Sequence, residues 1–205
     1  VETDTKEIEI APEWVSLFDG TSLSGWHVYN NPEGTNPWTI EDGVLMFPGR
    51  ASGSKPEFNL VTDNEYTDFI LSIEWKISEG GNSGIMWGVI EDEKYEHPYD
   101  TGPEIQVLDN ERHPDALANP KFHQAGALYD MVQPMYDVCK PAGEWNVCEI
   151  EINHQTNHGS VTLNGTEIVT FSVYGEAWDA MVAKSKFKDW KDFGKSKTGK
   201  NCLQD

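Results

Sequence analysis

The sequence predicts an all-β fold, a sandwich of two antiparallel sheets with one short helix near the C-terminus. Three observations predict it. Short alternating or apolar runs recur along the chain, each closed by Gly, Asn, Asp or Pro. Helical spacing does not intervene between these runs, which argues against a parallel sheet with crossover helices. Strands apolar on one face bury that face most simply by packing one sheet against another.

In chain order, "WTIEDGVLMFPG" (38–49) reads as two strands around an Asp-Gly turn. "DFILSIEWKIS" (68–78) sets Phe69, Leu71, Ile73, Trp75 and Ile77 on one face, with Ile70, Ser72, Glu74 and Lys76 on the other. "GGNSGIMWGVI" (80–90) is a Gly-rich turn feeding a strand, and "EIQVL" (104–108) is the next strand. There Ile105 and Val107 share one face while Glu104 and Gln106 share the other. Asp109 has the wrong parity to join Glu104, unless a bulge or an early strand end near Leu108 turns it back. "EWNVCEIEIN" (144–153), "GSVTLNGTEIVTFSV" (159–173) with its Asn-Gly hairpin turn, and "NCLQD" supply the remaining strands. Only "EAWDAMVAKSKF" (176–187) has helical spacing, through Ala177, Met181 and Val182. No repeat appears, so residues 14–205 read as one domain behind a polar tether, residues 1–13.

Acidic residues outnumber basic ones 35 to 15, giving a formal net charge of -20. A polyanion would be repelled, so nucleic acid is excluded as a partner. The same balance suits solubility or a neutral substrate better than an anionic one. Eight Trp, seven Tyr and eight Phe supply core and also flat faces on which sugars stack. No apolar run reaches the roughly 18 residues of a membrane span, and no signal peptide is recognisable. Cys139 and Cys148 bracket a loop that a disulfide could close, and adjacent unpaired thiols fit equally well. Without a CxxC pair, a zinc–thiolate site is not indicated.

Seven stretches occur in a characteristic order: "SLFDGTSLSGW" (16–26), "EWKISEGGNSGI" (74–85), "TGPEIQVLDN" (101–110), "HQAGALYD" (123–130), "GEWN" (143–146), "LNG" (163–165) and "SKF" (185–187). Together they resemble the 3-keto-disaccharide hydrolase domain family, over nearly the whole chain from about Ser16. The resemblance implies a concanavalin A-like jelly roll, exported to the periplasm or beyond and often lipid-anchored, here through the N-terminal tether. It also implies action on disaccharides or glycosides whose ring is oxidised to a ketone at carbon 3. Family members typically continue from Leu-Gln-Asp into His-Gly and a strand ending Phe-Arg-Asn; the resemblance implies either that such a tail follows the given sequence or that the domain is truncated at Asp205.

A ketone at carbon 3 acidifies the hydrogen on carbon 2, and the leaving group on carbon 1 lies β to it. Such a bond breaks by elimination followed by hydration, or by hydrolysis. Elimination needs a base, a group facing the enolate oxygen and an acid for the leaving group. Glu104 is the candidate base or metal ligand, and His123 the candidate acid or ligand. Asp109 joins them only if the strand ends or bulges as described. Glu74 and Lys76 are either a surface couple or, beside Glu104 on an adjacent strand, a pair that polarises a carbonyl. Asn82 and Ser83 form a plain turn or a rim loop for sugar hydroxyls, and Gln106 faces the same trough as Glu104. Tyr129 and Trp145 are candidate stacking platforms, Trp145 alternatively a core residue. A divalent cation held by Glu74, Glu104, Asp109 and His123 could polarise the ketone, although no spacing signature marks it. Competing readings are a non-catalytic carbohydrate-binding module and a laminarinase-type endoglucanase. For the latter, Glu104-x-Gln106-x-x-Asp109 departs from the expected E-x-D-x-x-E.

Overall fold

The protein is described by a computed structural model covering residues 13–51 and 53–205. The expected tether therefore lies, apart from Glu13, outside the described residues. Eleven strands are present: β1 (Trp26–Val28), β2 (Thr39–Glu41), β3 (Val44–Met46), β4 (Leu60–Thr62), β5 (Phe69–Trp75), β6 (Asn82–Val89), β7 (Glu104–Leu108), β8 (Asn146–Asn153), β9 (His158–Leu163), β10 (Thr166–Phe171) and β11 (Lys200–Leu203). Two helices accompany them, a single turn α1 (Asp115–Ala118) and α2 (Gly175–Lys184). The strands form a five-stranded sheet in the order β1-β4-β11-β6-β7, a four-stranded sheet β10-β9-β8-β5 and a separate β2-β3 hairpin. Every strand pair is antiparallel, so the fold is a jelly-roll sandwich of two sheets.

The hairpin turns follow local chemistry. Asp42-Gly43 and Asn164-Gly165 all have positive φ, as the tight turn matching strand twist requires. The core lies between the sheets: Ile85, Trp87, Ile105 and Val107 from one side meet Cys148, Ile150, Ile152, Val161 and Leu163 from the other. Each is an alternate residue on its strand, as a pleated ribbon demands. Helix α2 is anchored by Trp178, buried near Phe171, with Met181 and Val182 beside it. The expected anchor Ala177 is exposed instead, because indole offers far more apolar area than a methyl.

The outer face of the five-stranded sheet is not simply solvated. Register aligns His27, Val61, Cys202, Met86 and Glu104 in one row across it. Tyr29, Val61, Met86, Val89 and Cys202 form a second apolar cluster there, with Tyr99 packed on it. The loop between β6 and β7 thus covers part of this face. All three cysteines are free thiols.

Candidate active site

Glu104 opens β7, whose register with β6 runs unbroken from Met86↔Glu104 to Asn82↔Leu108. Ile105 and Val107 point into the core, which places Glu104 and Gln106 on the outer face. The Glu104 carboxylate leans onto Gly84 of β6. A Cβ on Gly84 would lie 1.9 Å from Glu104 Oε1, so only glycine leaves this space open. Burial pushes the carboxyl up to about 8, the nearby Lys186 charge works against that rise, and Asp115 adds to it. No hydrogen bond among the described residues contributes to this shift. Glu104 is only half-buried, so its unpaired side chain keeps some solvent contact.

Lys186 is held by its backbone. Ser185 and Phe187 on either side are buried, and the Lys186 N–H donates to Asp130 Oδ2 at 2.6 Å. Its exposed side chain lies over Tyr129, with Nζ 4.2 Å from the ring centroid. Tyr129 is fixed in turn: its N–H donates to the Glu104 carbonyl at 2.9 Å and its hydroxyl to Asp115 Oδ2 at 2.9 Å. Beneath it, His123 stacks on the Tyr129 ring at 4.3 Å.

His123 is 8% exposed, and both its ring nitrogens face carboxylates, Nδ1 to Asp115 at 2.9 Å and Nε2 to Asp130 at 2.8 Å. Burial would raise the Asp130 carboxyl, but the Lys186 N–H, His123 and Asn119 outweigh it and hold the carboxyl below its ordinary range. His123 thereby ties the 115–130 loop together and orients Tyr129 and Lys186. Both its nitrogens are engaged by these carboxylates in this arrangement.

The remaining sequence candidates divide by location. Gln106 lies on the face of Glu104, 2% exposed, with Oε1 lacking a partner. Asn82 shares that face and is exposed at the start of β6, whereas Ser83 has the opposite parity and donates to the Gln204 carbonyl at 2.8 Å. Asp109 lies roughly 17 Å further along an extended chain from Glu104. There it accepts from the Gly80 N–H at 2.7 Å and the Glu111 N–H at 3.1 Å and pairs with Arg112. Burial alone would raise its carboxyl, but these donors hold it below the usual range. Although β7 ends at Leu108, the chain turns Asp109 toward the 80–81 loop and not toward Glu104.

The expectation that Glu74 and Lys76 sit beside Glu104 is corrected. They belong to β5 and its extension, in the other sheet, because alternation specifies a strand's face and not its sheet. Lys76 lies 5.0 Å over Trp145, which is 38% exposed and so not core. Glu74, Glu104, Asp109 and His123 therefore do not converge as a ligand set.

Several site residues carried no individual signal. Lys186, Asp115 and Tyr99 come near Glu104 only through tertiary packing, with Asp130 and Trp190 behind them. Aromatic contacts run from His97 to Tyr99 (4.5 Å), Trp190 (6.2 Å), Phe187 (5.0 Å) and Tyr129 (6.5 Å). Within this arc, the Tyr99 and Tyr129 phenols lie near enough to Glu104 for its charge to act on both.

Comparison with known proteins agrees with the geometry. Residues 13–205 match the family model of the 3-keto-alpha-glucoside-1,2-lyase-like domain. A 3-keto-disaccharide hydrolase from Bacteroides thetaiotaomicron is 33% identical over 200 residues, 91% of this chain and 68% of that protein. Among solved structures, a glycosyl-hydrolase candidate from Parabacteroides distasonis superposes with a TM-score of 0.83 at 31% identity, covering 92% of this chain and 86% of that one. A carbohydrate-binding module from Bacillus subtilis, with a TM-score of 0.52 at 12% identity over 87% of this chain and 86% of that one, shares the fold alone. The protein belongs to the 3-keto-alpha-glucoside-1,2-lyase-like domain family.

Proposed function

We propose that this protein cleaves the glycosidic bond of 3-keto-disaccharides and related 3-keto-glycosides by elimination and hydration, with Glu104 as the base. The observation that carries the reading is Glu104 itself. It is a half-buried carboxyl without a hydrogen-bond partner, raised to about 8, beside a lysine on the outer face of the five-stranded sheet. A carboxyl tuned this close to neutrality accepts a proton and returns it readily.

Ionised Glu104 takes the hydrogen on carbon 2, and the C–H electron pair moves toward the keto oxygen as an enolate. The Lys186 ammonium faces that growing charge. As the enolate collapses, a double bond forms between carbons 1 and 2 and the bond from carbon 1 to the leaving oxygen breaks. The protonated Glu104 then supplies the leaving group with its proton. Water adds across the new double bond, oxygen to carbon 1 and hydrogen to carbon 2. The sum is a hydrolysis, which makes "lyase" and "hydrolase" two descriptions of one sequence of steps.

The Tyr99–Trp190 arc supplies the stacking surface, and the exposed Asn82 an amide for ring hydroxyls. Turnover of a 3-keto disaccharide and its unoxidised parent tests the reading. Release of free sugar from the oxidised substrate alone, abolished in Glu104→Gln, is expected. Sugar binding without turnover of either would favour a binding module. Export and a lipid anchor belong to the same proposal, resting on family resemblance, and cell fractionation tests them.

A further inference from the structure

A concavity lies on the same sheet face as Glu104. This cleft of about 490 Å³ is lined by Tyr29, Lys55, Pro56, Glu57, Asn59 and Glu96. Tyr29 and Asn59 are buried and form its floor, being paired neighbours at the ends of β1 and β4. Their parity puts them on the face that carries Val61, Cys202, Met86 and Glu104. Glu57 makes the wall, with Oε2 2.8 Å from His97 Nδ1 and 3.2 Å from Asn59 Nδ2, and Oε1 3.0 Å from Lys55.

Tyr99 joins this cleft to the Glu104 corner. It stacks on His97, and its phenol is raised chiefly by burial but also by the charges of both Glu57 and Glu104. Three strand spacings, roughly 14 Å, separate the backbone at Glu104 from β4. Because the Glu104 side chain leans onto Gly84 of β6, the gap left toward the cleft suits one pyranose ring beside Tyr99. Whatever departs from carbon 1 of that ring then enters the cleft.

We infer that this cleft is the leaving-group subsite and that it takes a neutral, polyhydroxylated group such as a hexose. The inference rests on the function proposed above. Carboxylate, amide and ammonium groups around a buried floor bind hydroxyls in both donor and acceptor senses. Glu57 and Glu96 in a chain of net charge -20 disfavour a leaving group that is itself an anion.

The test compares a 3-keto disaccharide with methyl 3-keto-glucoside, whose leaving group is too small to fill the cleft. In Glu57→Gln, the ratio of kcat/KM for the disaccharide to that for the methyl glycoside should fall about tenfold, as expected for weakening charge-assisted hydrogen bonds. Lys55→Ala, at an exposed rim position, should lower the ratio about two- to fivefold, and decides the matter if Glu57→Gln does not fold. An unchanged ratio in the folded variants would overturn the subsite while leaving the proposed function intact. Wild-type protein inactive on both 3-keto substrates would remove the proposed function, and the subsite with it.

Discussion

Glu104 concentrates the chemistry at the scale of single residues. Replacing it with Gln should reduce kcat by about 10²–10⁴-fold. The wild-type rate should climb as pH rises toward about 8, where the base form accumulates, and the variant should lack this limb. The stability consequence has a definite sign. The folded pKa lies above the ordinary 4.5, so the stability Glu104 contributes is complete below about 4.5 and is lost as pH rises through about 8. Glu104→Gln should therefore be more stable than wild type at pH 8, on the order of 1–3 kcal/mol, the retained solvent contact reducing the full effect. Chemical denaturation across pH 5 to 9 measures it. Lys186→Ala should lower kcat by about 10²-fold, with Lys186→Arg recovering part, if the cation faces the enolate oxygen.

At the scale of elements, β7 and the 115–130 loop act together. His123→Ala would leave Asp115 and Asp130 without their shared partner and should cost about 3–5 kcal/mol in denaturant unfolding. Gly84→Ala should displace the Glu104 carboxylate, lowering kcat without comparable loss of fold. The sequence made strands β5, β7, β8, β9 and β10 legible because alternation over five to eight residues is a local property. Three-residue β1 and β4 are too short for any periodicity. The strand "NCLQD" was visible, but its seat between β4 and β6 was not. Sheet membership is a tertiary property, which is why Glu104 could be singled out while Glu74 was set beside it.

For the molecule as a whole, the partners of Glu104 come from chain segments 80 residues apart, 104 on β7 and 186 beyond α2, so no window of sequence holds the site. The "SKF" stretch drew attention as a motif, yet Lys186 acquires meaning only where the arc of rings brings it over Tyr129. The net charge of -20 acts over the whole surface. Substrates with an anionic leaving group should be cleaved less efficiently than neutral ones, the gap narrowing as salt shortens the Debye length from about 10 Å at 0.1 M. Initial rates at low and high ionic strength would show this.

The central claim is that Glu104 removes the hydrogen on carbon 2. A 3-keto disaccharide carrying deuterium at that carbon tests it directly, with wild-type and Glu104→Gln proteins side by side. A primary kinetic isotope effect and an enone intermediate in the wild type, with turnover lost in the variant, are predicted. Turnover without an isotope effect, undiminished in Glu104→Gln, would contradict it.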